Sequence, residues 1–159
     1  MNREIKLLLD MLDRAFTGTG WHGTTLLGAL RGVTPRQALW RPAPRRHNVW
    51  ELALHAAYWK YVVRRRITGT EERGAFPRAP SNWPDVPEPP TAKAWREDVR
   101  LLKRMHAELV DAVAALPPGK LGRRSPSGKW TYAQMIHGVA GHDLYHTGQV
   151  QLVKRLKRV

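Results

Sequence analysis

Residues 131–156 read TYAQMIHGVAGHDLYHTGQVQLVKRL. Thr131 with Gln134 three residues later is a capping box, the start signal of a helix. No proline interrupts the rest of the stretch, so the spacing predicts one helix to about Lys157. Met135, Val139, His142, His146, Gln149, Val153 and Leu156 step along it by four, three, four, three, four and three. Steps of this kind make an a/d seam, and a seam points into a bundle. His142 and His146 therefore leave one face of the helix at core positions. Two adjacent buried imidazoles need partners for their ring nitrogens, and a shared cation supplies both.

Three other helices are expected. The first runs from about Asn2 to Phe16, with Ile5, Leu8, Leu9, Leu12 and Phe16 at helical spacing. TGTGWHG then interrupts with three glycines, and short helical pieces follow at Thr24–Leu30 and in TPRQAL, where Thr34 caps and Pro35 takes the first turn. The second long helix starts at the capping-box pair Asn48 and Glu51 and stops at Gly69 after Thr68. The third starts at Ala92 behind Thr91 and carries Trp95, Val99, Leu102, His106, Leu109 and Val113 before Pro117-Pro118-Gly119 ends it. Residues 69–90 hold six of the twelve prolines and read as a linker long enough to run the length of a bundle. The expected fold is all-α: a four-helix bundle forming a single domain over residues 1–159, its second and third helices parallel across that linker.

The second helix repeats the pattern of the fourth. Leu52, His55, Trp59 and Val62 step by three, four and three, so His55 sits among apolar neighbours. Three core-facing histidines from two helices, with a coordination position left open, describe a catalytic-type metal site. The ligand types suit zinc, nickel, copper or iron. A lone histidine on an apolar face is more often bonded to a carbonyl or water, so the weight rests on the three together.

The remaining histidines are less constrained. His106 lies on the third helix's stripe, where it would line the same cavity or be a satisfied core residue. His22 sits in the glycine-bounded break and faces either that cavity or solvent, His47 reads as loop, and His137 lies off the seam. His142-Asp143 and His146 spell H-D-x-x-H, close to the H-E-x-x-H of zinc peptidases, but no strand pattern accompanies it. Asp143 is instead expected to support a ligand or to be a structural polar residue. Of the seven tryptophans, Trp50 and Trp59 flank His55 and would wall a pocket.

Composition limits the function. There is no cysteine, which excludes disulfides, thiolate zinc sites and cysteine nucleophiles. No apolar run approaches the roughly 18 residues of a bilayer span, and the charged N-terminus is not a signal-peptide core, so a cytoplasmic setting without membrane contact is the default expectation. Lys and Arg number 27 against 13 acids, a net charge of +14 that favours acidic partners. The basic residues are spread along the whole chain, and no base-reading motif is present.

These residues together resemble the DinB/YfiT-like superfamily of four-helix-bundle metalloenzymes. The resemblance runs through LWRPAPRRHNVWELALHAAYWKYVVRRRITG, the start of the third helix around Trp95, and the fourth helix, and is most specific in HDLYHTGQV. It implies one metal-binding histidine from the second helix and two from the last, which fall on His55, His142 and His146. It implies an up-down-down-up bundle and a homodimer. Relatives of this kind include S-transferases that use low-molecular-weight thiols, an isomerase and metal-dependent hydrolases. The expected function is a metal-dependent enzyme for a small molecule, with zinc or nickel activating a water or a thiol. Arg45, Arg46 and Arg64 are expected to hold the carboxylates of an acidic thiol or substrate. The alternatives are a basic nucleic-acid-binding bundle, which predicts tight, salt-dependent binding indifferent to His142, and a metal-binding scaffold without catalysis.

Overall fold

The computed structural model describes residues 2–69, 75–125 and 128–157. These are all-helical, with six α-helices and one 3-10 turn: α1 (Arg3–Phe16), α2 (Leu26–Leu30), α3 (Pro35–Leu39), α4 (Val49–Thr68), α5 (Ala92–Ala114), the turn Pro118–Lys120, and α6 (Tyr132–Leu156). Residues 70–74 of the expected linker lie outside the described residues. No helix among the described residues is long and apolar enough to cross a membrane.

Local chemistry sets the helix ends. The Asn48 side chain accepts from the Glu51 N–H at 2.8 Å while the Glu51 carboxylate accepts from the Asn48 N–H at 3.1 Å, and the Thr131–Gln134 pair closes the same way at the head of α6. Gly69 ends α4 at φ 69°, in the left-handed region where a side chain would be strained. Each cap is worth about 1 kcal/mol.

The four long helices contact one another in a cycle: α4 packs on α5 and α6, and α1 packs on α6 and α5. One core cluster gathers Phe16, Trp50, Leu54, Trp95, Leu102 and Val150, and a second gathers Leu12, Val63, Leu109, Val113, Ile136 and Val139. Trp50 is fully buried and donates its indole N–H to Asp98 at 2.8 Å, while Trp95 donates to the Val33 carbonyl at 2.8 Å. Asp98 also pairs with Arg78 (2.8 Å), which ties residues 75–90 to α5, and Phe76 of the same segment is buried. Residues 75–90 are thus packed against α5, and this brings Asn82 and Trp83 to the histidines.

The buried stripe of α6 is shifted from the expected seam. Ile136, Ala140, Asp143, Thr147 and Val150 take the centre, with Val139 and His146 beside them. Gln149 is half-buried and Leu156 exposed, so the expected seam is one flank of the true stripe. The shift places Asp143 in the core, where its carboxylate pairs with Lys60 of α4, and both side chains are completely buried.

Candidate metal centre

α4 and α6 bring His55, His142 and His146 together. The Nε2 atoms of His55 and His142 are 3.1 Å apart, and those of His142 and His146 are 2.9 Å apart. The three ligand atoms lie within 4.8 Å of one another, a group able to hold a metal ion. Metal–nitrogen bonds of about 2.0–2.1 Å separate neighbouring ligand nitrogens by about 3 Å, so the spacing fits a cation seated between them.

The rings are oriented from behind. His55 Nδ1 lies 2.5 Å from the Asn82 carbonyl and donates to it, which leaves Nε2 with a lone pair facing the centre. His146 Nδ1 does the same to the Gln149 side-chain oxygen at 2.6 Å. His142 Nδ1 is buried with no hydrogen-bond partner. Asn82 adopts a left-handed backbone (φ 70°) and accepts the Trp59 indole N–H at 2.9 Å through its side chain. Trp83 lies between two imidazoles, stacked on His55 at 3.7 Å and on His47 at 3.5 Å. The linker therefore contributes the acceptor and a wall for one ligand.

Burial dominates the electrostatics. It pushes His55 down to about 4 and His142 down to about 3, with neighbouring imidazoles adding to both, and it lowers His146 as well. All three rings are neutral at pH 7, the form that binds a metal. We expect Gln149→Leu, which removes one orienting acceptor, to weaken zinc binding by about 10–100-fold in competition titrations with a chromophoric chelator while the fold is retained.

The other expected residues fall elsewhere. His106 stays apart from the triad: it stacks on Phe16 at 3.9 Å and its buried Nδ1 has no partner. His22 is exposed on the glycine-rich turn before α2. Asp143 does not support a ligand ring; it pairs with Lys60 instead. Arg64 pairs with Glu108 at 2.8 Å, and Arg45 and Arg46 are exposed on the loop before α4. Trp59 walls the site as expected, whereas Trp50 does not, being buried against Asp98. Lys60, Asn82, Trp83 and Gln149 are contributions that sequence reasoning misses. The signals available in the sequence are the off-stripe lysine within an apolar helix, for Lys60, and the polar seam position three residues after His146, for Gln149.

Burial and the nearby Lys60 charge bring His106 down to about 3. The unfolded imidazole takes a proton below about 6.5 while the folded one does not until about 3, so this residue costs stability as pH falls through that window. Urea unfolding at pH 7 and pH 5 should show His106→Leu losing about 2 kcal/mol less than the parent between those pH values.

A cavity of about 790 Å³ opens from His55 and His142. Its walls include Trp59, Val63, Met135, Val139 and Trp130, and its basic side chains are Arg66 and Lys129. A family model described as the DinB superfamily matches residues 19–150. The chain belongs to the DinB superfamily. Neither curated proteins nor solved structures give a match. The DinB match spans α2 to most of α6 and so includes all three histidines and the residues that orient them.

Proposed function

We propose that this DinB-superfamily chain is a metal-dependent enzyme acting on a small molecule, of the thiol S-transferase or hydrolase type. The observation that carries the proposal is the convergence of three neutral Nε2 atoms, two of them oriented through Nδ1, at the edge of a cavity. His55, His142 and His146 hold the cation, zinc or nickel by donor type. Bound there, a divalent cation supplies Lewis acidity that lowers the pKa of a water or thiol ligand. Trp83 covers His55, Trp59 and Trp130 give the substrate an apolar surface, and the basic rim attracts an acidic one. A thiol co-substrate requires a reducing compartment, so the proposal carries a cytoplasmic setting.

The architecture proposed with it is one up-down-down-up bundle over residues 1–159. The contact cycle of α1, α6, α4 and α5 and the long crossover between α4 and α5 support it. The proposed assembly is a homodimer. Its support is the outer face of α6, where Tyr145 and Leu152 are 65% and 57% exposed among the exposed glycines Gly141 and Gly148. Light scattering should report a dimer for the parent and a monomer for Leu152→Glu; a parent monomer overturns this part. Any contact with nucleic acid is nonspecific and salt-sensitive.

The test is metal content by elemental mass spectrometry, then calorimetry of a thiol added to the loaded protein in buffers of different ionisation enthalpy. Because the ligand imidazoles are already neutral, protons released at pH 7 come from the added thiol. Release of about one proton per site supports S-transfer, and none directs the screen to hydrolysis. A protein that takes up neither zinc nor nickel overturns the proposal.

A further inference from the structure

We propose that the cavity beside the three histidines selects a flat, mainly apolar organic anion, with its anionic group at the Lys129 end and its body along Trp59 and Trp130. The inference rests on the reading of this site as a small-molecule enzyme and names the class of molecule it takes.

Size comes first. A volume of about 790 Å³ lies within the range of sites that enclose a small organic ligand. The walls come next: Trp59 and Val63 of α4, Met135 and Val139 of α6, and Trp130 just ahead of α6 offer aromatic and aliphatic surface. Trp130 is 48% exposed although large and apolar, and it regains buried surface when a ring lies against it.

Charge then chooses among apolar ligands. Lys129 Nζ sits 5.1 Å over the Trp130 ring, which places a cation beside the apolar wall. Arg66 lines the same cavity with its guanidinium 3.9 Å from the Met135 sulfur. No acidic side chain is among the described lining residues. A neutral ring therefore gains apolar contact alone, an organic cation meets repulsion, and an organic anion gains both terms. The net charge of +14 also steers anions to the surface.

Two acceptors of the lining are already used within the protein. The Asn82 side-chain oxygen is committed to Trp59, and the Gln134 side-chain oxygen to the Thr131 N–H.

The experiment compares 2-naphthoate with its neutral analogue 2-naphthamide by titration calorimetry, on metal-free and zinc-loaded full-length protein. In the metal-free protein the acid should bind at least about tenfold tighter than the amide. Lys129→Gln should remove most of that preference while leaving amide binding unchanged, which also verifies that the variant is folded. Trp130→Ala should weaken both ligands. Equal binding of acid and amide, a preference insensitive to Lys129→Gln, or no binding of either ligand would overturn the inference. The metal-free arm separates the two readings: zinc uptake without acid preference overturns the ligand class alone, and acid preference without zinc uptake overturns the metal reading alone.

Discussion

Lys60→Met or Asp143→Ala will each destabilise the fold by about 3–5 kcal/mol, the cost of leaving one charge buried without its partner. Both side chains are completely inaccessible and pair with each other between α4 and α6. Burial pushes the Lys60 ammonium down and the Asp143 carboxyl up, and their mutual attraction opposes both shifts. The surroundings offer little else: Lys60 Nζ lies 4.6 Å from the Phe16 ring centre, and Asp143 Oδ1 has no hydrogen-bond partner. Removing both charges is therefore expected to recover most of the loss, and Lys60→Met/Asp143→Leu should unfold at a denaturant concentration close to the parent's. Chemical denaturation of the four proteins decides this. Single variants within about 1 kcal/mol of the parent would mean that the pair is not the buried charge pair described.

The second large effect is on metal binding. His142→Ala should lower zinc affinity by more than about 100-fold, beyond what losing an orienting hydrogen bond costs. His142 is the central ligand, with its Nε2 close to those of both His55 and His146. Its removal takes away both of these short nitrogen–nitrogen contacts at once. Elemental mass spectrometry after zinc incubation should find near one equivalent in the parent and background in the variant. Far-UV circular dichroism should be unchanged, since His142 is only half-buried. Retention of zinc by the variant would move the binding site elsewhere.

The parts of the structure legible in the sequence are those that short-range chemistry encodes. The Thr34 cap and the capping pairs Asn48–Glu51 and Thr131–Gln134 all form, and α4, α5 and α6 start where their caps predict. His55, His142 and His146 converge because a seam period holds across a few turns whatever the rest of the fold does. The centre of the α6 stripe is hidden because an aspartate at a core position looks like an error until its lysine, 83 residues away, is known. Asn82 and Trp83 cannot be read at all: an irregular, proline-rich segment has no period, and its path is set by distant contacts such as Arg78 with Asp98. Arg45, Arg46 and Arg64 stand out by charge density, which says nothing about which side of a helix or loop faces a cavity.

His55 and His142 stand 87 residues apart in the chain. During synthesis, α4 and the segment that backs its histidine leave the ribosome well before α6 exists. No cation can be held by three nitrogens until the C-terminal helix arrives. Once held, it acts as a clasp that joins the two ends of that long loop. Closing a loop of this length removes about 4–5 kcal/mol of freedom from the unfolded chain. Such a centre would assemble only after α6 is made: a chain lacking α6 keeps His55 but has neither His142 nor His146 to join it.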